Sequence, residues 1–231
     1  MNYFKNTGNV QNYIENFYHS FRWQAYREYA AGLIPKKNKP GKILDAGSGP
    51  SPSLPEFLDQ NIRYICLDGS YENLQKLSKD FRSISGIQAN FENGKTLPLK
   101  GTFDLVIAFG VLQYLKYPQK FIADLASLMP SGGYFLTHNP SEYWNKKMFP
   151  MHGKGFSRPA LTKLVESHFE IIFFKTINFP LFEKVISKCL RRISGGPTLD
   201  RIVWRIAFRV ETILNSLGFQ GTDHLVLARK I

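Results

Sequence analysis

The chain has 231 residues, 43% of them hydrophobic and 14% aromatic, enough for one well-buried domain with an inserted subdomain and too short for two independent units. Lys and Arg total 30 against 18 Asp and Glu, a net charge of +12 that favours polyanionic partners: nucleic acid, an anionic membrane face or phosphorylated compounds. No uncharged apolar run is long enough to cross a bilayer, residues 1–30 lack a signal-peptide pattern, and two cysteines, Cys66 and Cys189, suggest neither a disulfide framework nor a thiolate metal site, so the expected compartment is the cytoplasm.

Residues 9–33 read as one or two aromatic-rich helices, with Tyr13, Phe17 and Phe21 on one face, ahead of Pro35 and the basic Lys36, Lys37 and Lys39. Two roles fit: a helix packed on the core, or a lid over a substrate, for which Tyr18, His19 and Arg22 supply polar groups among the rings. Gly41 to Ser51 follows, where Ile43 and Leu44 suit a buried strand and Gly47 and Gly49 suit a turn that wraps a ligand closely. Asp45, at the end of that strand, needs loop amides, water or a ligand cation to satisfy its carboxylate.

Pro52 to Gln60 suits a helix, and Arg63 to Asp68 a second buried strand. In a strand-turn-helix-strand unit the end of the second strand lies beside the first turn, so Asp68 is placed to accept ribose hydroxyls. Its alternative is to cap the helix expected at 71–81, a role Ser70 fills equally well. Strands are expected at 86–91, 103–109 and 132–138, helices at 118–129 and 158–167, a sixth strand at 169–178 and a last one at 223–230. Strands alternating with helices imply a mostly parallel sheet.

The ordered set of Leu44-Asp45-Ala46-Gly47-Ser48-Gly49, the acidic second strand and Phe103-Asp104-Leu105-Val106 resembles the class I, Rossmann-like S-adenosylmethionine-dependent methyltransferases of the small-molecule type, over roughly residues 40–178 and 223–230. The resemblance implies an α/β fold with a seven-stranded sheet of order 3-2-1-4-5-7-6, strand 7 antiparallel, and helices on both faces. The whole chain is then one domain: an N-terminal helical cap (1–39), the core (40–178 and 223–231) and a helical insertion (179–222).

Carried over by residue, Asp45, Gly47 and Gly49 would line the methionine part of S-adenosylmethionine, with Ser48 adding its hydroxyl or amide. Asp68, followed by Gly69, would hold the ribose; Asn90 would bond the adenine amino group where many members carry Asp, and Phe91 would flank the ring. Phe109 and Gly110 would face the sulfonium, with Gln113 and Tyr114 near the acceptor. The turn departs from the pattern at Ser51, where many members have a third glycine, and Pro52 stands where a dinucleotide fingerprint needs glycine.

Methyl transfer from a sulfonium is a direct displacement, so alignment and exclusion of water matter most and a base is optional. If the acceptor is a hydroxyl, His138, His19 and His152 are the candidate bases, and Tyr114 is a further candidate catalytic group. His138 has an equally good reading as a hydrogen-bonded strand end. The five histidines and the scattered acids offer no metal-ligand spacing. Asn139-Pro140 is similar to the base-binding motif of amino-methylating nucleic-acid enzymes, but it follows strand five instead of strand four, which weakens that reading.

Residues 179–222 replace the short hairpin usual in the family. Phe182, Val185, Ile186, Cys189, Leu190 and Ile193 fall at helical spacing, Gly195-Gly196-Pro197 breaks the helix, and a second apolar face runs from Leu199 to Leu217. The segment carries Lys184, Lys188, Arg191, Arg192, Arg201, Arg205 and Arg209 against Glu183, Asp200 and Glu211. It suits a cap on the core, a self-association surface, or, through 182–217 with Trp204 and Phe208, docking on an anionic membrane. The expected function is methyl transfer to an oxygen or nitrogen of a small-molecule or lipid-linked acceptor. The alternatives are a nucleic-acid methyltransferase, and a non-catalytic cofactor-binding or membrane-associated protein.

Overall fold

The computed structural model describes residues 21–35, 39–58, 61–91, 97, 99–142, 155–177 and 221–231, together with 202–203, 205–207, 209–210, 213–214 and 217. In chain order these form α1 (Phe21–Ala31), β1 (Lys42–Ala46), β2 (Arg63–Asp68), α2 (Tyr71–Asp80), β3 (Ser85–Gln88), β4 (Leu105–Phe109), α3 (Pro118–Ser127), β5 (Tyr134–Pro140), α4 (Arg158–Glu166), β6 (Phe169–Ile177) and β7 (Asp223–Lys230). The seven strands make one sheet of order β3-β2-β1-β4-β5-β7-β6, parallel except for β7, which runs antiparallel to both β5 and β6. This is the order the family resemblance implies.

Period-two alternation along the strands builds two cores. Ile43, Leu105, Ile107, Leu136 and Leu225 face one way, under Trp23, Tyr26 and Ala30 of α1 and Leu77 of α2. Leu44, Val106, Ala108, Phe135 and Val226 face the other, covered by Phe121 and Leu125 of α3 and Leu161 and Val165 of α4. Each fully buried aliphatic side chain contributes about 1.5–3 kcal/mol, so the central strands β1 and β4 form the most strongly held part of the sheet. Helix starts are set locally: Ser70 Oγ accepts from Asn73 N at α2, and Ser157 Oγ from Ala160 N at α4.

Several boundaries differ from the sequence expectation. The helix expected over 52–60 is, among the described residues, one 3-10 turn at Pro55–Phe57, and the chain just before it is tied to β1 and β2 by the Ser53 and Leu54 amides, which donate to Asp45 and Tyr64. β3 is an edge strand that ends at Gln88, so Asn90 and Phe91 lie beyond it. β5 runs two residues past His138, since Asn139 and Pro140 pair with His224 and Asp223 of the antiparallel β7. The expected helix over 182–193, its Gly-Gly-Pro break, Trp204 and Phe208 lie outside the described residues, as do His19, His152 and most of the 13/17/21 aromatic stripe.

Part of the second half of the insertion is described and helical. Val203 and Ala207 pack on the same core as α1, and Arg205 bonds Glu28 Oε2 through Nε at 2.9 Å and Nη2 at 2.5 Å. This supports the cap reading for that face. Ile202, Ile206, Ile213 and Leu217 stay exposed.

Candidate functional site

The turn after β1 is wedged between β2 and the segment after β4. Gly47 N donates to Leu67 O at 2.6 Å and Ser48 N to the same oxygen at 3.3 Å. Gly47 has φ +78, and a Cβ there would lie 2.2 Å from Val111 Cγ2; Gly49 has φ +64. Glycine at 47 is therefore required both by conformation and by the approach of Val111. Ser48 is buried, with its hydroxyl turned to Gly49 O at 3.3 Å inside the turn and its N–H to Leu67 O of β2.

Asp45 stands behind the turn and is fully buried. Its Oδ2 accepts from Ser53 N at 2.6 Å and Tyr64 Oη at 2.9 Å, and its Oδ1 from Ser53 Oγ at 2.8 Å. Tyr64 Oη in turn accepts from Leu54 N at 3.2 Å. Burial pushes the Asp45 carboxyl up to about 6 against these lowering bonds, and the charge of Asp68 adds a smaller rise. Desolvation likewise raises the Tyr64 phenol. Asp45 thus satisfies three donors of its own chain and braces the turn, a knot with Ser53 and Tyr64 that sequence spacing did not disclose.

Asp68 closes the open side. Its Oδ2 accepts from Gly49 N at 2.8 Å, and its Oδ1 from Ser70 N at 2.8 Å and Asn73 Nδ2 at 3.3 Å. Ser70, not Asp68, caps α2. A partly buried carboxylate has about four acceptor positions, so room remains for a ligand hydroxyl beside these three donors. Gly69 and Asn90 are exposed next to it, and Gly69 O accepts from Gln88 Nε2 at 3.2 Å. Phe91 packs on Phe121 with ring centroids 4.9 Å apart. The β2 and β3 ends therefore bring Asp68, Gly69, Asn90 and Phe91 to one rim.

The ends of β4 and β5 form the opposite rim. Gly110, at φ +64, donates its N–H to His138 O at 2.7 Å and thereby ties the two strand ends together. On this face Phe109, His138, Trp23 and Tyr26 form one ring cluster: Trp23 stacks on Tyr26 at 4.9 Å, Tyr26 meets His138 at 5.1 Å, and Phe109 lies 5.9 Å from His138. Gln113 and Tyr114 follow on a 3-10 turn, with the Tyr114 ring 47% exposed. Burial raises the Tyr114 phenol, opposed by its hydrogen bond with Gln113. In the sequence Trp23 and Tyr26 are no more than two aromatics of the helix expected within 9–33; their place over the β4 end was not legible.

Among the described residues, Gln113 Oε1, Asn139 Oδ1 and His138 Nε2 are buried near these strand ends with no hydrogen-bond partner. The Asn139 orientation is fixed by its neighbours. Thr137 Oγ1 gives its one proton to Ala108 O at 2.7 Å, so it can only accept from Asn139 Nδ2 at 2.8 Å, which leaves Oδ1 as the bare acceptor. His138 Nε2 lies 3.5 Å from Asp223 Oδ1, within ion-pair reach. Asp223 was missed in the sequence because only strand pairing brings it across. Among the described residues no group of three or more His, Cys, Asp or Glu could hold a metal ion.

A protein-family model described as a methyltransferase domain matches residues 18–170. A solved SAM-dependent methyltransferase from Thermotoga maritima is similar at 17% identity and TM-score 0.61, covering 96% of each chain. The N-methyltransferase NodS from Bradyrhizobium japonicum WM9, solved with S-adenosylhomocysteine, is similar at 10% identity and TM-score 0.65, covering 93% of this chain and 90% of NodS. The [4+2]-cyclase SpnF is similar at 16% identity and TM-score 0.61, covering 89% of this chain and 80% of SpnF. No curated protein sequence matches the chain.

Proposed function

The chain belongs to the methyltransferase-domain family, with S-adenosylmethionine as methyl donor, and on that premise we propose that it methylates an oxygen or nitrogen of a small-molecule acceptor. The residues present fit the cofactor. Gly47 lets the turn press against Val111 with its backbone in a ligand-wrapping conformation, and Asp68 keeps acceptor capacity at the rim. In this reading Gly47, Ser48 and Gly49 hold the methionine part, with Asp45 bracing them from behind. Asp68 and Gly69 take the ribose, Asn90 and Phe91 the adenine, and Phe109 and Gly110 flank the sulfonium. The bound cofactor supplies an electrophilic methyl carbon; the protein aligns the acceptor behind it and keeps water out.

The observation that carries the small-acceptor reading is the aromatic roof. Trp23 and Tyr26, both at least nine-tenths buried, close over Phe109 and His138 at the β4 and β5 ends. A roof this close to the strand ends fits a compact acceptor better than a nucleic-acid duplex, and the N-methyl transfer of the similar NodS is of a kind with it. A lipid-linked acceptor is the second reading, favoured by Ile202, Ile206 and Leu217, exposed by 46–67% on the helical segment that also carries Arg205 and Arg209. The test is transfer of labelled methyl from S-adenosylmethionine to three pools: small amines and alcohols, anionic vesicles bearing lipid-linked sugars, and total RNA. Label in the first pool supports the proposal, and label in the vesicles supports the second reading. Label confined to RNA, or no transfer to any pool, contradicts both.

A further inference from the structure

Resting on the methyl-transfer reading, we propose that Asp223 is a positioning residue that makes His138 the general base for the acceptor. His138 sits on β5 in register with Phe109 of β4 and Leu225 of β7, and Asp223 lies two residues before Leu225, on the same face of the sheet. The pair therefore stands at the strand ends that carry Phe109 and Gly110. Nε2 of His138 is wholly buried and lies 3.5 Å from Asp223 Oδ1. Thr222 Oγ1 donates to Asp223 Oδ2 at 2.7 Å, and Oδ1 is the oxygen on the imidazole side. The 3.5 Å distance is that of an open catalytic pair, which a small ring rotation closes to a hydrogen bond.

The consequence for the ring is specific. A carboxylate at Nε2 accepts, so the neutral imidazole carries its proton on Nε2 and presents a lone pair at Nδ1. Trp23, Tyr26 and Phe109 hold the ring plane, at centroid distances of 5.9, 5.1 and 5.9 Å. In the reaction His138 Nδ1 takes the proton lost by the acceptor oxygen or nitrogen, whose electron pair forms the new bond to the methyl carbon. The sulfur–methyl bond breaks with its electrons left on sulfur, giving a neutral thioether, and the proton passes from the imidazolium to water. Asp223 balances the positive charge that the imidazolium acquires. His224, buried and next in the chain to Asp223, points to the opposite face, where it bonds Thr176 Oγ1 and Phe156 O, and plays no part.

The test is a nitrogen NMR spectrum of the full chain labelled at its 5 histidines, with the His138 signals assigned by their loss in His138→Gln. The expected result above neutral pH is a protonated Nε2 and a bare Nδ1 in the wild type, with the two tautomers mixed in Asp223→Ala. A proton on Nδ1 in the wild type, or an unchanged tautomer in Asp223→Ala, overturns the proposal. Calorimetry with S-adenosylhomocysteine separates this from the broader reading: Asp223→Ala binds within about threefold of the wild type, because neither side chain of the pair is assigned a cofactor contact. Absence of binding by the wild type removes the methyl-transfer reading, whatever the tautomer. With an acceptor in hand, Asp223→Ala lowers kcat about tenfold or more at nearly constant KM, and a change confined to KM counts against the assignment.

Discussion

Replacing Asp45 by Asn separates bracing of the glycine turn from any charge contact with the ligand. Asn preserves the geometry: its Oδ1 accepts from Ser53 N and Tyr64 Oη, and its Nδ2 donates to Ser53 Oγ, a hydroxyl that turns from donor to acceptor. Only the charge is lost. In the folded wild type the carboxyl is raised from 3.8 to about 6 by burial, so the native state binds the proton more tightly than the unfolded chain. The stability from that proton is fully present below 3.8 and lost as pH rises through 6, about 3 kcal/mol over the whole range. Between about pH 5 and pH 8 the loss is roughly 1–2 kcal/mol, and the Asn variant does not share it. Urea unfolding of both proteins at the two pH values, followed by tryptophan fluorescence, measures it directly. The expected result is an Asn-minus-wild-type stability that rises by that amount with pH, while affinity for S-adenosylhomocysteine changes by no more than about threefold. A difference independent of pH refutes the buried-carboxyl argument, and an affinity loss beyond about tenfold shows that the charge reaches the ligand.

Tyr64→Phe removes the Asp45 donor and strands the buried Leu54 amide, so unfolding studies are expected to show a loss of about 2–4 kcal/mol; a change below about 1 kcal/mol would mean the knot adds little. Gly47→Ala puts a Cβ 2.2 Å from Val111 Cγ2 on a residue at φ +78. Thermal unfolding and ligand calorimetry should both register it, as a stability loss of about 2–3 kcal/mol and an affinity loss beyond tenfold. His224 is held neutral: desolvation lowers its affinity for protons, Phe156 O accepts from Nε2, and Nδ1 faces the Thr176 hydroxyl. Its depressed folded value means its stability is full above about pH 6.5 and is lost as pH falls below that. The stability gap between wild type and His224→Gln should therefore shrink from about pH 7.5 to pH 5, and a constant gap contradicts the assignment.

Strand positions were legible because each buried strand announces itself as an apolar run next to a turn, and β2 and β7 begin and end where the sequence put them; the sheet order followed from the family resemblance alone. What sequence spacing hides is contact across strands. Tyr64 reaches Asp45 because Ile43, not Asp45, is its register partner, which makes the two side chains diagonal neighbours on one face. Asp223 reaches His138 by the same diagonal logic across β5 and β7. Asp68 was legible for the opposite reason, since it lies at a strand end whose place beside the first turn follows from chain order alone. The short turn at Pro55–Phe57 shows the limit of local propensity: the chain ahead of it is set by tertiary bonds from Ser53 and Leu54 to Asp45 and Tyr64, which local sequence does not announce.

The central claim is that the turn from Asp45 to Gly49 and the carboxylate of Asp68 form a nucleoside sulfonium site. Titration calorimetry of the intact chain with S-adenosylhomocysteine tests it most directly. One ligand per chain is expected, with affinity falling at least tenfold in Asp68→Ala, about 1.4 kcal/mol or more, while that variant remains folded by circular dichroism. No measurable binding by the wild type would contradict the account; undiminished affinity in Asp68→Ala would contradict the place given to the ribose.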